Sequence, residues 1–326
     1  MREWIETVTR AVQARPALHP SGAQRLFNGF TEGWQQVVVE QYGDCLVVIN
    51  HIRDDDHPNW LTDLTTRLLQ TIPGIQSVLV KQRHSRNMEE KKGWLAAGER
   101  LPDAVVENGV HYALDLRLNQ DTSFYLDSRQ LRIWLKEHLQ GCSLLNTFAY
   151  TGSLGVAALA GGARLVVQTD VRRHFLALAD RSASLNSSAH GEQRLLPGDF
   201  FRVTADLRRQ GARFDCVILD PPFFSTSAAG TVDLQRNMTA LINKVRPLVS
   251  DGGWLVAVNN ALYLSGRAYL DTLDRLTQDG YLTIETLLPV DADCIGYPQT
   301  IQSSLPADPA PFNHATKMAI LGVTRK

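Results

Sequence analysis

Phe214-Asp215-Cys216-Val217-Ile218-Leu219 runs straight into Asp220-Pro221-Pro222-Phe223-Phe224-Ser225, and this junction decides how the chain is read. A short apolar run of this kind suits a strand buried in a parallel sheet. Ending it in Asp-Pro-Pro-aromatic puts a carboxylate, a kinked backbone with free carbonyls and a ring at one spot. That spot is the carboxyl edge of the sheet, where open α/β folds bind their ligands. A planar base can lie against the ring there while the proline carbonyls accept hydrogen bonds from an amino group. A strand that merely ends in a proline turn has the same letters, so the surrounding residues decide.

Three further strand ends carry what such an edge needs. Leu144-Leu145-Asn146-Thr147-Phe148-Ala149-Tyr150-Thr151-Gly152-Ser153-Leu154-Gly155 reads as a strand, a tight loop and a helix start. Gly152 and Gly155 suit close backbone approach to a ligand near a helix N-terminus. The spacing is not GxGxxG, so the dinucleotide fingerprint is missing. Leu165-Val166-Val167-Gln168-Thr169-Asp170 is a second strand ending in an acid. It lies about 20 residues beyond the glycines, where a carboxylate can accept both hydroxyls of a ribose. Asp199 follows Leu195-Leu196-Pro197-Gly198 and is placed to meet an adenine amino group. A lone strand-end Asp is often only a helix cap. The ordered set, closed by Asp220-Pro221-Pro222-Phe223, is the stronger signal.

Beyond residue 119, strand-like runs at 143–148, 165–169, 215–219, 254–259, 283–288 and 317–323 alternate with helical patterns at 153–160, 173–186, 233–249 and 266–278. Alternation of this kind means a parallel sheet with helices on both faces, the last run being a candidate antiparallel insertion. The expected class is α/β: a Rossmann-like, doubly wound, mostly parallel seven-stranded sheet over 119–326, preceded by a small α+β domain over 1–118. In the first region Trp4, Ile5, Val8 and Val12 share a helical face. Val37-Val38-Val39 and Leu46-Val47-Val48-Ile49 flank Tyr42-Gly43-Asp44 as a hairpin, and Asn108-Gly109 marks another. A helical stretch from Pro58 carries Leu61, Leu64, Leu68 and Leu69, and Val78-Leu79-Val80 is a strand. Ser225–Gly230 reads as a small-residue loop.

Composition bounds the function class. With 44% hydrophobic and 21% charged residues this is an ordinary globular chain. No apolar run reaches the roughly 20 residues of a membrane span, and Met1-Arg2-Glu3-Trp4-Ile5-Glu6 has no secretory h-region. Cys45, Cys142, Cys216 and Cys294 form no CxxC pair and no zinc spacing. A cytoplasmic, metal-free protein is the expectation. The net charge of −1 argues against an indiscriminate nucleic-acid binder. One local exception, Lys81-Gln82-Arg83-His84-Ser85-Arg86 with Lys91-Lys92, reads either as solvated charge or as a phosphate-contacting patch.

The ordered strand ends resemble the class I S-adenosylmethionine-dependent methyltransferases. Residues 119–260 more closely resemble the enzymes that methylate bases in 23S ribosomal RNA. The motifs are Asn119-Gln120-Asp121-Thr122-Ser123-Phe124-Tyr125-Leu126-Asp127-Ser128-Arg129, then Phe148-Ala149-Tyr150-Thr151-Gly152, Asp170, Gly198-Asp199 and Asp220-Pro221-Pro222. The Phe-Tyr-Leu-Asp-x-Arg segment is the most family-specific. The small preceding domain is similar too, through Arg25-Leu26-Phe27-Asn28-Gly29, and is read as an accessory domain with RNA as its candidate ligand. The extra RNA-binding module that some relatives carry in front is not expected here. The resemblance implies S-adenosylmethionine as cofactor and ribosomal RNA as partner. Asp170 would hold the ribose hydroxyls and Asp199 the adenine. Phe148, Tyr150, Thr151 and Gly152 would line the methionine arm, with Tyr125, Asp127 and Arg129 closing the pocket. Asp220, Pro221, Pro222, Phe223 and Phe224 would shape the acceptor site.

Within this family one subgroup makes 5-methylcytosine, which demands a cysteine thiolate to activate the ring. Where those relatives place it, after Trp254-Leu255-Val256-Ala257-Val258, this chain has Asn259-Asn260-Ala261. Cys216 and Cys142 are poorly placed, and Cys294 is the remaining candidate. The asparagines resemble instead the subgroup that methylates guanine at N7, and exocyclic amines of purines also suit the loop. Neither needs a thiolate; holding the acceptor in line with the sulfonium methyl suffices. A methyltransferase acting on a ring or exocyclic nitrogen of a purine in ribosomal RNA is the leading expectation. A small-molecule methyltransferase on the same fold is the alternative, as is a non-catalytic homologue that binds cofactor or RNA. Leu305-Pro306-Ala307-Asp308-Pro309-Ala310-Pro311-Phe312-Asn313-His314 reads either as a rigid surface linker or as a cover for the acceptor pocket.

Overall fold

Strands and helices follow most of these apolar periods, and the chain they build divides into two units. In the computed structural model, residues 2–17, 19–53, 59–186, 191–304 and 308–325 are described. One unit comprises Met1–Asp127 and Asp291–Leu305, the other Ser128–Val290 and Pro306–Lys326.

The first unit holds a five-stranded sheet in the order β1 (Ala23–Asn28), β2 (Val37–Tyr42), β3 (Cys45–Asn50), β4 (Ser77–Gln82), β5 (Trp94–Ala97). Gly43 turns the β2–β3 hairpin at φ 58°, a conformation glycine adopts without penalty. β3 and β4 run parallel, and α3 (Trp60–Thr71) is the crossover between them. Pro58, where that helix was expected to begin, lies outside the described residues. Helix α1 (Arg2–Ala14), the short α2 (Gly29–Glu32) and α4 (Met88–Lys92), and the hairpin β6 (Ala104–Glu107) and β7 (Val110–Ala113) complete residues 2–113. Val8, Val12, Trp34, Trp60 and Leu64 pack against Val37, Val39, Leu46 and Val48.

The division differs from the linear boundary expected at 118/119, and buried polar bonds give the reason. The buried Tyr42 hydroxyl donates to the Phe124 carbonyl at 2.9 Å. Lys81 Nζ donates to the carbonyls of Lys92 (2.8 Å), Asn119 (2.9 Å) and Asp121 (3.2 Å). These bonds tie 119–124 to the first sheet. Farther along, Arg25 N donates to Asp293 Oδ2 at 3.1 Å, Thr300 Oγ1 donates to Glu32, and Gln302 N to the Thr31 carbonyl at 2.7 Å. Glu32 is itself gripped by Arg15 through two buried bonds of 2.6 and 2.7 Å. No apolar period announces such contacts. Lys81 also settles part of the basic run: it is neither solvated nor available to phosphate. Arg83 is engaged by Asp121 and Lys92 by Glu89, leaving Arg86 and Lys91 as its cations without an ion pair among the described residues.

The second unit opens with α5 (Arg129–His138) and contains β8 (Ser143–Thr147), α6 (Ser153–Ala160), β9 (Leu165–Asp170), α7 (Arg173–Ser184), β10 (Glu192–Pro197), α8 (Phe200–Arg209) and β11 (Phe214–Leu219). A hairpin, β12 (Phe224–Ser227) and β13 (Gly230–Asp233), follows, then α9 (Met238–Val245), β14 (Val249–Asn259), α10 (Gly266–Thr277) and β15 (Leu282–Leu288). After α11 (Ala292–Ile295) in the first unit, β16 (Lys317–Val323) ends the chain's secondary structure. The sheet has seven strands in the order β10-β9-β8-β11-β14-β16-β15. β16 runs antiparallel to both its neighbours and the rest are parallel. The class is α/β, Rossmann-like and doubly wound. Helices α9 and α10 bury Met238, Leu241, Ile242 and Val245, and Tyr269 and Leu273, at helical spacing against it.

Two local readings are corrected. Ser225–Gly230 is not a loop but most of the β12–β13 hairpin, and the helix expected over 233–249 shrinks to Met238–Val245 because Gly230–Asp233 is already paired. β10 escaped the strand inventory because Glu192-Gln193-Arg194 is an edge sequence without apolar alternation. No helix among the described residues is long and apolar enough to cross a membrane.

Candidate active site

The strand order reverses between β8 and β11, and a crevice outside the carboxyl ends of those strands is where such sheets take ligands. The loop 148–152 leaves β8 on one side of this point. The loop 220–224 leaves β11 on the other.

The β8 loop is held in an unusual shape. Phe148 and Tyr150 have φ of 54° and 51° and Gly152 has 78°. Two non-glycine residues in the left-handed region within three positions cost energy that the surroundings must supply. Ala149 N donates to the Thr169 carbonyl at 2.9 Å, and Tyr150 N donates to Asp170 Oδ2 at 3.0 Å. The Phe148 ring stacks on Phe200 at 4.4 Å, and Tyr150 meets Phe175 edge-on at 4.6 Å. The rings therefore act as packing anchors for the loop. Gly152 and Gly155 were read as room for a ligand; their immediate neighbour is protein. A Cβ at either would collide with the Gln168 side chain, and at Gly152 also with the Ala179 methyl. Gln168 is locked in turn, accepting from Asn146 Nδ2 at 3.0 Å and donating to Gln193 at 2.9 Å. A chain of amides thus runs beneath the loop across β8, β9 and β10.

Asp170 ends β9 beside this loop, and its Oδ1 accepts from Arg172 N at 2.9 Å. Burial raises its carboxyl above the usual range, opposed by those backbone N–H groups. Val171, next in the chain, is 70% exposed. An apolar side chain left open to water next to a desolvated acid suits the flat, half-polar face of a nucleoside. Asp199 ends the β10 turn and caps α8: Oδ1 accepts from Phe201 N (2.9 Å) and Arg202 N (3.2 Å). Its Oδ2 carries no bond among the described residues. The cap reading and the ligand reading are thus compatible.

On the β11 side, Asp220 is partly buried and Pro221 buried, whereas Pro222 is exposed. Phe223 is 45% and Phe224 58% exposed. The Tyr269 hydroxyl donates to the Ala257 carbonyl at 2.8 Å, and burial with the nearby Asp220 charge drives its phenol upward. Asn259, which stands where the 5-methylcytosine relatives carry their cysteine, is buried scaffolding. Its Nδ2 donates to the Leu234 carbonyl at 3.2 Å, and its Oδ1 accepts from Ala261 N at 3.0 Å. Of the cysteines, Cys216 lies inside β11 with its thiol pushed up by burial, and Cys142 is raised the same way. Cys294 is buried in α11 of the first unit. Tyr125 and Asp127 belong to the first unit and Arg129 opens α5 of the second, so their part in the pocket stays an expectation. The described end of the proline-rich segment is no free linker: Phe312 is buried against Tyr269, and Asn313 pairs with both backbone groups of Val290 at 2.9 and 2.8 Å. Leu305, Pro306 and Ala307 lie outside the described residues.

This constellation has a counterpart in known sequences. The profile of the S-adenosylmethionine-dependent methyltransferases matches residues 24–278. The chain belongs to that family. Its activity is methyl transfer and its cofactor S-adenosylmethionine. The ribosomal RNA large subunit methyltransferase I of Vibrio cholerae serotype O1 is 35% identical over 71% of this chain and 59% of that one. The methyltransferase thus spans about three-fifths of that relative's length. A solved structure from Streptococcus mutans shares the fold at TM-score 0.82 and 20% identity, covering 99% of this chain and 81% of that one. Another, SMU.776 complexed with SAH, matches at TM-score 0.79 and 21% identity over 98% and 80%.

Residues that the sequence reading passed over stand out at this edge of the sheet. They are Val171, the exposed Leu262-Tyr263 pair after β14, and the buried Lys317 at the start of β16. The available signal was an apolar or cationic residue at a strand end of this same edge.

Proposed function

We propose that the methyltransferase methylates a ring or exocyclic nitrogen of a purine base in ribosomal RNA, in the cytoplasm. The observation that carries this is the Asp220-Pro221-Pro222-Phe223-Phe224 loop at the switch point, with a partly buried carboxylate beside two half-exposed rings. The relative's name, a ribosomal RNA large subunit methyltransferase, supports the RNA acceptor.

In this reading Asp170 accepts the ribose hydroxyls, Val171 packs on the adenine and Asp199 Oδ2 accepts its amino group. The Phe148, Tyr150, Thr151 and Gly152 backbone lines the methionine arm, and Arg129 closes the pocket. When bound, S-adenosylmethionine supplies an electrophilic methyl on a sulfonium sulfur. The chain's own work is positional. Phe223 or Phe224 stacks on a base that is unpaired or flipped out. The Pro221 and Pro222 carbonyls and the Asp220 carboxylate fix its amine. Burial raises the thiols of Cys142 and Cys216, the opposite of the activated thiolate that cytosine C5 chemistry needs.

The test is transfer of labelled methyl from S-adenosylmethionine to ribosomal RNA purified from a strain lacking the gene, followed by nucleoside analysis. Label in a methylated purine, lost in Asp220→Ala, is the expected result. Unlabelled RNA from an enzyme that still binds cofactor refutes the RNA acceptor and moves the search to small molecules.

A further inference from the structure

Tyr263 is 83% exposed, more than any other large apolar side chain among the described residues, and its neighbour Leu262 is 53% exposed. Water-exposed aromatics usually sit on loose loops; this pair sits on a clamped one. Ala261, immediately before them, is fully buried. Its N–H donates to Asn259 Oδ1 at 3.0 Å, and its carbonyl accepts from Lys317 Nζ at 3.1 Å and from Leu264 N at 3.2 Å. Both backbone groups of one residue are thus taken, in part by buried side chains from two strands.

Lys317 is a costly way to make that bond. It is fully buried, pairs with Asn259 in the β14–β16 register, and among the described residues donates otherwise only to the Ala315 carbonyl, at 2.5 Å. No carboxylate pairs with it among the described residues, and burial lowers its pKa to about 8. An apolar side chain of similar volume serves packing equally well or better. What the ammonium adds is a fixed position for the 260–264 turn. That turn leaves β14, the parallel neighbour of β11, so it emerges beside the Asp220–Phe224 loop at the same edge.

We infer that the 260–264 turn is the second wall of the acceptor site: Tyr263 stacks on an unpaired nucleobase of the substrate, and Lys317 is the positioning residue that holds the turn through Ala261. The inference deepens the proposed function and takes its acceptor class from it. A ring opposite Phe223 and Phe224 lets the site grip bases by their faces, which every base has. Recognition by stacking on a rigid wall needs no ordering of the loop on binding.

Two variants test it with the full-length enzyme. Tyr263→Ala raises KM for the ribosomal RNA by ~10-fold, the scale of one lost base–aromatic stack, with cofactor affinity unchanged by calorimetry. Tyr263→Phe, which keeps the ring, restores KM. Lys317→Met melts no lower than wild type and binds cofactor equally, yet raises the same KM and speeds hydrogen exchange at the amides of 260–264. Wild-type KM in Tyr263→Ala, or equal impairment in Tyr263→Phe, overturns the stacking role. Unchanged exchange and KM in Lys317→Met overturns the positioning role. If the wild type labels no ribosomal RNA, the acceptor proposal falls separately. The wall is then read from binding of a short unpaired oligoribonucleotide: binding lost in Tyr263→Ala supports it, and equal binding overturns it.

Discussion

The two halves of the sheet edge are built on opposite plans. On the β8 side, loop 148–152 is bent into left-handed backbone, its rings are packed inward, and glycines let α6 settle on Gln168. Little side chain is left over for solvent. On the β11–β14 side, Phe223, Phe224, Leu262 and Tyr263 stand open beside buried Asn259, Tyr269 and Lys317. A cofactor of fixed shape rewards a preformed backbone cradle. Under the proposed function, a base arriving from a polymer is met by exposed faces on rigid footings.

Substitutions can break that contrast on either side. The largest effect is expected from Gly152→Val, which combines a β-branched residue at φ 78° with overlap onto Gln168 and Ala179. A loss of about 3 kcal/mol or more in urea unfolding is expected; an unchanged midpoint would show that the loop is not held as described. Next comes Asp170→Ala. It should weaken cofactor binding ~100-fold through lost charge-assisted hydrogen bonds, read by calorimetry, and a wild-type affinity would remove Asp170 from the cofactor half. Phe223→Ala sharpens the contrast from the other side, with KM for RNA raised ~10-fold and cofactor affinity intact. Loss of both together would mean that the halves are not independent.

The smallest effect is a pH dependence. Below about pH 8 the folded protein holds Lys317 charged at the full cost of burial. Between that value and the ordinary lysine value of 10.5 the unfolded chain binds more protons, so this residue's penalty is relieved as pH rises. Melting of wild type relative to Lys317→Met should therefore improve from pH 7 toward pH 10. Lys81, lowered to about 8 in the first unit chiefly by burial, is common to both proteins and cancels. A flat difference would mean that the amine is not buried as described.

The strand ends on the β8 side were legible because their signals are local. Each strand announces itself by a few apolar residues, and an acid at the strand's end must lie at the carboxyl edge whatever the rest of the chain does. On the β11 side only the Asp220–Phe224 loop drew notice. Asn259 stood out as the residue replacing a cysteine, but its scaffolding role was not legible, because its partners Leu234 and Ala261 are set by loop geometry and not by spacing.

By itself the sequence determined the seven-stranded alternation, the family and the order of acids along the edge. Periodicity and strand-end chemistry are short-range properties that survive in a string of letters. Only the tertiary structure decided that 291–305 returns to the first unit through Asp293, Thr300 and Gln302, and that Lys317 clamps a carbonyl 56 residues earlier. Those bonds exist because burial forces each polar group to find a partner, and which partner lies within reach is settled by packing.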